Sequence, residues 1–256
     1  MTNSTASTAP VHEPGWLDAS GLEVFRWLLK TLFDLLAPIN TYGKENLNLV
    51  GPGGYIVALN HLSYLDAPLL LANLPRGQRM TAFGTDKYRS HLFFAFILRL
   101  SGVIWVNRED PSPETIKAAV QLLRNGGLLG IAPEGTRSRV TRALQEGKTG
   151  AVRLAILSGV PIVPAAVVHT EQVVEDLKHL RRSHVTITFG KPIRFATPAR
   201  HERKEKWEEY TTELMCQIAA LLPAEYRGVY ADHPRLQELL SASTAQLPAI
   251  PASQGD

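Results

Sequence analysis

The chain has 256 residues, of which 45% are hydrophobic and 20% charged, values typical of a folded globular protein rather than a disordered one. Its net charge of +3 suits an anionic membrane surface or a phosphorylated substrate, and we expect no nucleic-acid partner. The single cysteine, Cys216, excludes an internal disulfide and favours a reducing compartment.

The polar start of the chain and its apolar windows both bear on membrane insertion. Residues 1–14 lack the basic start and apolar run of a secretory signal. The most apolar windows, 24–39 and 92–106, are interrupted by charges and fall short of the ~20 residues that a spanning helix needs. We therefore expect a soluble or peripheral protein. Residues 1–15 and 241–256 are rich in small and polar residues and predict disordered tails.

Between these tails, apolar runs alternate with helical patterns. This alternation predicts an α/β fold, with a central, mostly parallel or mixed sheet flanked by helices. We expect one domain over residues 41–240, preceded by an N-terminal amphipathic helical segment over 16–40. The predicted strands cover residues 55–59, 80–83, 103–106, 128–131, 162–168 and 185–189. The predicted helices cover residues 65–74, 87–100, 113–124, 148–158 and 200–221.

Segment 22–36 has an unusually wide apolar face. On a helix its charged residues would fall within an arc of about 80°, and most other positions are large and apolar. The segment could dock on the core of the domain or lie in the interface of a bilayer. We favour the membrane, because the apolar face is wider than a docking groove needs. The side chains expected to enter the acyl region are Phe25, Trp27, Leu28 and Phe33.

The sequence NHLSYLD at residues 60–66 places an imidazole near a carboxylate. On an unbroken helix His61 and Asp66 would point about 140° apart, so they can meet only if the chain turns between them. Asp66 followed by Pro68 predicts a helix start with Asp66 as its N-cap. Alternatively, Asp66 could be only a helix cap and His61 only a polar residue at the end of a strand. If they meet, the carboxylate orients the ring and leaves its other nitrogen to act as a general base.

The sequence PEGTRS at residues 133–138 follows an apolar strand and has the features of an anion site. Gly135 permits close approach of the backbone, Thr136 offers a hydroxyl, and Arg137 supplies a planar fork suited to phosphate. Glu134 cannot bind phosphate itself and is assigned to an arginine or a substrate hydroxyl. The alternative is a surface turn with a salt bridge.

Two further apolar segments complete the pattern. Residues 102–108 predict a strand that delivers Arg108, which would complete a phosphate clamp with Arg137. Residues 160–164 carry two prolines, which predicts an irregular or edge strand and one wall of an acyl-chain pocket, with plain packing as the equal alternative. The predicted pocket residues are Trp105, Ile162 and Pro164. No group of His, Cys or Asp has a recognised ligand spacing, so no metal is expected.

Together, in this order and spacing, the four segments resemble the four blocks of the glycerolipid acyltransferases, and most of all the lysophosphatidic acid acyltransferases. The resemblance covers residues 42–193 and departs from the usual pattern at Ala132, where phenylalanine is common. It implies that His61 is the general base and Asp66 its partner. It also implies an α/β fold with an amphipathic N-terminal helical pair on the membrane. The residues that it assigns to the glycerol-phosphate end of the acceptor are Arg108, Glu134, Gly135 and Arg137.

The reaction implied by this resemblance moves an acyl group from acyl-CoA or acyl carrier protein to the free hydroxyl of lysophosphatidic acid, giving phosphatidic acid. No cofactor is expected, and the enzyme would be peripheral on the cytoplasmic face of a membrane. Glycerol-3-phosphate or another lysolipid is the alternative acceptor. A thioesterase and a non-catalytic lipid-binding module are alternatives of other classes. The two arginines argue against the thioesterase, and the His61/Asp66 pair argues against the module.

Overall fold

The computed structural model describes residues 12–85, 89, 92–107, 111–138 and 140–243. Within these residues, eight strands form one sheet and eight α-helices cover it. The strands are β1 (His12–Pro14), β2 (Ile39–Tyr42), β3 (Tyr55–Leu59), β4 (Met80–Thr85), β5 (Gly102–Val106), β6 (Leu128–Ile131), β7 (Ile162–Val168) and β8 (Val185–Phe189). The helices are α1 (Ala19–Leu36), α2 (Asp66–Asn73), α3 (Leu92–Ser101), α4 (Pro113–Arg124), α5 (Gly150–Ser158), α6 (Val173–Lys178), α7 (Arg203–Ala220) and α8 (Pro234–Ser243).

The sheet is mixed, in the order β1-β5-β4-β6-β3-β7-β8-β2. Strands β5, β4, β6, β3 and β7 run parallel, β8 is antiparallel to β7, and β1 is antiparallel to β5. The predicted α/β fold is therefore confirmed. Because β3 and β6 are parallel neighbours, the segments that follow them, 60–66 and 132–138, begin at the same edge of the sheet. In open α/β sheets this edge is where ligands bind.

The side chains of β3 alternate between two hydrophobic cores, one on each face of the sheet. Ile56 and Ala58 belong to a first core under α4, α5, α7 and α8. Tyr55, Val57 and Leu59 belong to a second core under α1, α2 and α6. With every residue of β3 buried, this strand is a fixed base for the segment that follows it.

Four elements, β1, β2, α6 and α8, were not predicted, and three of them change the expected domain limits. Strand β1 pairs with β5, so the expected N-terminal tail of residues 1–15 is wrong for residues 12–14. Strand β2 pairs with β8, so the end of segment 16–40 belongs to the sheet. Helix α8 continues to Ser243, beyond the expected start of the C-terminal tail. Strands of three and four residues at the sheet edges carry too little hydrophobic pattern to be recognised.

Strand β7 is central rather than an edge strand, which corrects the interpretation of its prolines. It lies between β3 and β8. Pro164 has no N–H to donate, but pairing with β8 starts only at Ala165, and the Pro164 carbonyl accepts from the Gly190 N–H at 2.7 Å. Ile162 forms a separate bridge with Ile193. The proline thus lies at a break in the pairing on one side, where a missing donor is tolerated.

Helix α1 docks on the core with one face and exposes the other. Phe33 is buried in the second core and Phe25 packs against it, so these two expected membrane contacts are wrong. Trp27 and Leu28 are 65% and 53% exposed. With them, Val24, Leu32 and Leu35 form an exposed apolar stripe along the helix. Within the described residues a single N-terminal helix stands where a helical pair was expected, and no described helix is long and apolar enough to cross a bilayer.

Candidate active site

His61 and Asp66 are in direct contact. The ring Nδ1 of His61 lies 2.7 Å from Oδ2 of Asp66, and the two side chains are 19% and 2% exposed. The chain makes this contact because residues 61–65 form an irregular turn between β3 and α2. A carboxylate on Nδ1 fixes the tautomer that carries its proton there and leaves Nε2 with a lone pair. The pair therefore has the geometry of a general base and its orienting acid.

The Asp66 carboxylate accepts three further hydrogen bonds from the protein. The backbone N–H groups of Leu62 and Ser63 both donate to Oδ2 at 2.9 Å, and the Thr170 hydroxyl donates to Oδ1 at 2.5 Å. The predicted N-cap role of Asp66 is wrong, since the N-cap of α2 is Leu65 and Asp66 turns back to the loop before it. These donors hold the carboxylate in a fixed orientation toward the His61 ring.

Thr170 reaches Asp66 from the end of β7. The preceding residue, His169, has a φ of 67°, in the left-handed region that few side chains adopt. Its ring Nδ1 lies 3.1 Å from the carbonyl of His184, a contact that helps to stabilise this backbone. Thr170 is completely buried beside the carboxylate. No local pattern connects this residue with Asp66, because the two are 104 positions apart in the chain.

The main chain of His61 is also fixed. The amide side chain of Asn60 exchanges two hydrogen bonds of 2.8 Å with the backbone of Val167, which extends the pairing of β3 with β7 by one step. The His61 carbonyl accepts from the Ser138 N–H at 2.8 Å, and the His61 N–H donates to Glu134 Oε1 at 3.0 Å. The ring of His61 therefore extends from a backbone held on both sides.

Glu134 is a buried support for His61, and its predicted contact with the acceptor is wrong. Its Oε1 accepts from His61, and its Oε2 accepts from the Ser138 hydroxyl at 2.6 Å and from the Gln145 N–H at 2.9 Å. Burial raises the pKa of Glu134, and these hydrogen bonds oppose the shift. Segment 133–138 therefore holds the backbone of His61 through hydrogen bonds with Glu134 and Ser138. It can do so because β3 and β6 are neighbouring strands.

A cavity of about 260 Å³ begins at the His61–Asp66 pair. Apolar side chains form most of its wall: Leu59, Leu70, Met80, Phe83, Ile116, Leu154 and Leu157. Gly130 of β6 also lines it, and a Cβ at that position would lie 2.8 Å from the Met80 sulfur. A mostly apolar cavity with a few polar lining groups suits a substrate with a hydrocarbon chain.

The three residues predicted for an acyl pocket lie elsewhere. Trp105 is buried and donates to Glu13 Oε1 at 2.7 Å, with the guanidinium group of Arg99 over its ring. Ile162 belongs to the first core, and Pro164 is buried within β7. None of the three lines the cavity that contains His61, whereas Val106, the neighbour of Trp105, does line it. Alternation along a strand explains this, because adjacent residues point to opposite faces.

The predicted phosphate residues are only partly at the cavity. Gly135 lines it, with a φ of 72°, whereas Thr136 and Arg137 do not line it. The Arg137 guanidinium lies 5.8 Å from the centre of the Tyr64 ring. Arg108 lies outside the described residues. The cationic side chains that line the described cavity, Lys148 and Arg153, were assigned no role from the sequence.

Lys148 and Arg153 flank the start of α5. A Cβ at Gly135 would lie 3.2 Å from Nζ of Lys148, so the ammonium group sits against the bare turn of segment 133–138. The backbone N–H of Lys148 donates to the Pro133 carbonyl at 2.8 Å. Arg153 lies over the Trp207 ring at 4.7 Å. Both positive groups and the N-terminal end of α5 favour an anion near this part of the cavity.

The fold and the site define a class: an α/β enzyme with a base–carboxylate pair in the wall of a mostly apolar cavity. A family model described as Acyltransferase matches residues 38–168, just over half of the chain. The chain belongs to this acyltransferase family, and the predicted family and enzyme class are confirmed.

Similar proteins share this assignment. The chain is 28% identical over 193 residues to the 1-acyl-sn-glycerol-3-phosphate acyltransferase of Bacillus subtilis, an alignment that covers 75% of this chain and 92% of that protein. It is 32% identical over 144 residues to the enzyme of that name from Salmonella typhimurium, covering 55% and 57%. The crystal structure of the 1-acyl-sn-glycerophosphate acyltransferase of Thermotoga maritima matches with a TM-score of 0.53 and 23% identity, covering 74% and 76%, and shares the fold.

Proposed function

We propose that the protein transfers a fatty acyl group from an acyl thioester, acyl-CoA or acyl carrier protein, to the free hydroxyl of 1-acylglycerol-3-phosphate. The product is phosphatidic acid. The observation that carries this proposal is the His61–Asp66 contact in the wall of a mostly apolar cavity that also has cationic side chains in its wall. The names of the similar proteins from Bacillus subtilis and Salmonella typhimurium support the choice of acceptor.

In the proposed mechanism, Nε2 of His61 removes the proton of the acceptor hydroxyl. The hydroxyl oxygen attacks the carbonyl carbon of the thioester at the same time. Asp66 stabilises the imidazolium that forms. The tetrahedral intermediate collapses, the carbon–sulfur bond breaks, and the thiolate takes the proton from Nε2. The new ester and a free thiol result, and the ring returns to its starting state.

Cys216 does not serve as an acyl-accepting nucleophile in this mechanism. The thiol is buried within the first core, and burial raises its pKa to about 11. Its sulfur lies 3.5 Å from Nδ1 of His233, but that nitrogen also accepts from the Arg235 N–H. A reactive cysteine needs a thiolate at neutral pH and access to the substrate. Direct transfer from the thioester to the alcohol fits the site better.

Replacing Lys148 with methionine is expected to raise the KM for lysophosphatidate by about 10- to 100-fold, since a hydrogen bond to a charged group contributes about 1.5–3 kcal/mol. The KM for an unphosphorylated monoacylglycerol should change little, because the lost group faces the phosphate. Steady-state rates with both acceptors test this, with Lys191→Met on the surface as the control. Equal effects on both acceptors would contradict the role of Lys148, and Arg137→Ala in the same assay tests the role predicted for that arginine.

Replacing Thr170 with valine is expected to lower kcat by about tenfold, because one charge-assisted hydrogen bond to Asp66 is lost from a buried carboxylate. Thr170→Ser keeps the hydroxyl and should retain nearly all of the rate. The two kcat values, measured with one acceptor at saturation, make the comparison. If serine and valine reduced kcat alike, the hydroxyl would have no role in positioning the carboxylate.

We also propose that the enzyme binds peripherally to the cytoplasmic face of a membrane, where both the acceptor and the product reside. The exposed apolar stripe of α1 supports this, since an amphipathic helix of this kind binds in the plane of the interface. Of the expected membrane contacts, Trp27 and Leu28 remain in the proposal. No metal or cofactor takes part in the proposed steps.

A screen of acceptors tests the proposed function. The purified protein is supplied with one labelled acyl thioester and with lysophosphatidate, glycerol-3-phosphate, lysophosphatidylcholine or no acceptor. Labelled phosphatidic acid from lysophosphatidate is the expected main product. Preference for glycerol-3-phosphate or another lysolipid would replace the acceptor in the proposal. Release of free fatty acid without any acceptor, at a comparable rate, would indicate a thioesterase instead.

A further inference from the structure

A second hollow, separate from the catalytic cavity, lies between α1, α2 and the 3₁₀ helix Lys44–Val50. Its volume is about 500 Å³. Four of its lining side chains are cationic, and one is acidic, so the lining carries a net charge of +3. The charged lining residues are Arg26, Lys30, Lys44, Arg76 and Glu23.

Arg26 and Glu23 are part of the fold. Nη1 of Arg26 lies 2.9 Å from Glu23 Oε1, which also accepts from the Gly77 N–H at 2.9 Å. The same guanidinium donates to the carbonyls of Leu74, Pro75 and Gln78 in the turn that follows α2. These hydrogen bonds hold Arg26 in place, and a cation near the C-terminal end of a helix is favoured by the helix dipole. The acidic group of the lining is therefore already engaged.

The other three cations are exposed. Lys30 pairs with Asp34 at 2.8 Å. Lys44 and Arg76 have no acidic partner within 4 Å among the residues that the structure describes. Partial desolvation of its ammonium group lowers the pKa of Lys44, and repulsion from Arg26 and Lys30 lowers it further. An anion in the hollow would relieve this repulsion.

The hollow opens beside apolar side chains. Val24 and Trp27 line it, and both belong to the exposed apolar stripe of α1. Cations with aliphatic stems placed next to an exposed tryptophan suit the boundary between lipid headgroups and acyl chains. A free phosphate ion would make no favourable contact with the apolar neighbours. Cationic and apolar side chains side by side therefore favour a lipid.

We propose that this hollow binds the phosphate of an anionic phospholipid headgroup, with Lys44 and Arg76 as its main ligands and Trp27 against the acyl region. This site rests on the peripheral membrane location in the proposed function and extends it from a general attraction to a defined contact. It is distinct from the acceptor site, because none of its lining residues lines the cavity at His61.

Vesicle co-sedimentation tests the site. Wild-type protein and the Lys44→Ala/Arg76→Ala double variant are compared on vesicles of phosphatidylcholine alone and of phosphatidylcholine with phosphatidylglycerol. Each basic residue near an anionic surface contributes about a factor of five, so the double variant should bind the anionic vesicles about 30-fold more weakly. Binding to phosphatidylcholine alone should not change. Lys44→Gln/Arg76→Gln keeps part of both aliphatic stems and provides a second variant if the alanine protein does not fold.

The matched control is Arg203→Ala/Lys204→Ala, which removes the same charge from exposed positions on α7, on the opposite face of the sheet. An equal loss in this control would show a bulk charge effect and would overturn the proposal, as would unchanged binding of the double variant. Titration with inorganic phosphate distinguishes a site for a free anion. If the double variant lost phosphate binding but bound vesicles like the wild type, the proposal would also be overturned. Wild-type transfer to acceptor dispersed below its micelle concentration, without vesicles, tests the proposed function separately.

Discussion

Replacing His61 with alanine is expected to reduce acyl transfer by about 10²–10⁴-fold, the usual contribution of a positioned general base. The variant loses the only group of the His61–Asp66 pair that can take the proton from the acceptor hydroxyl. Its fold should remain, because the backbone bonds of His61 to Glu134 and Ser138 do not involve the ring. Initial rates with lysophosphatidate and an acyl thioester, together with thermal unfolding, measure both effects.

The control for this variant is His201→Ala, which removes an imidazole from the surface. It should transfer acyl groups at the wild-type rate. A His61→Ala protein that unfolds at the wild-type temperature and still transfers at a near-normal rate would refute the assignment of His61 as the base. A loss that could be restored by adding imidazole to the assay would strengthen it.

Replacing Glu134 with alanine is expected to lower the free energy of unfolding by about 2–6 kcal/mol, because each buried donor left without a partner costs about 1–3 kcal/mol. The N–H groups of His61 and Gln145 would both lose their acceptor. The rate should fall as well, even in the fraction that remains folded, since the backbone that carries the base is no longer held. Chemical denaturation and initial rates well below the unfolding temperature measure the two effects.

The Glu134→Gln variant separates the contribution of the hydrogen bond to His61 from that of the hydrogen bond to Gln145. The amide oxygen of the new side chain can still accept from the His61 N–H, but its NH2 group faces the Gln145 N–H, which it cannot accept from. We therefore expect the free energy of unfolding to fall by only about 1–3 kcal/mol, with a milder effect on rate. Glu146→Ala removes an exposed carboxylate nearby and should change little. If the alanine variant instead kept its stability and lost only affinity for the phosphorylated acceptor, Glu134 would be a substrate ligand after all.

The part of the site that could be predicted from sequence is the part that is local. His61 and Asp66 are five residues apart, and the turn between them was visible as a strand end followed by a helix start. Their contact matches the prediction, although the N-cap role does not. Ser63 lies in the same turn, where its hydroxyl oxygen accepts from the Leu65 N–H at 3.2 Å.

The contacts that depend on strand order could not be predicted. Glu134 was assigned to the substrate because the sequence does not show that β3 and β6 are neighbours. Thr170 reaches Asp66 from β7, and Lys148 enters the cavity through its contact with the turn at Gly135, so neither had a local signal. A polar residue at the end of a buried strand is the one pattern that could have drawn attention to Thr170.

The elements of the fold divide in the same way. Central strands such as β3 and β7 are continuous apolar runs, and their predicted limits match the structure. The prolines of β7 suggested an edge because the break in pairing that accommodates Pro164 is a tertiary feature. Short edge strands β1 and β2 were missed, and α6, with six residues, is too short for a clear helical period.

Helix α2 lies between the His61–Asp66 pair and α1, the helix proposed to contact a bilayer. It starts at the carboxylate that orients the base, and the carbonyls beyond its last turn are gripped by Arg26 of α1. Eight residues of helix span only about 12 Å. If α1 lies on a lipid surface as proposed, the hydrogen bonds of Arg26 to the turn after α2 connect that surface to the helix that carries Asp66.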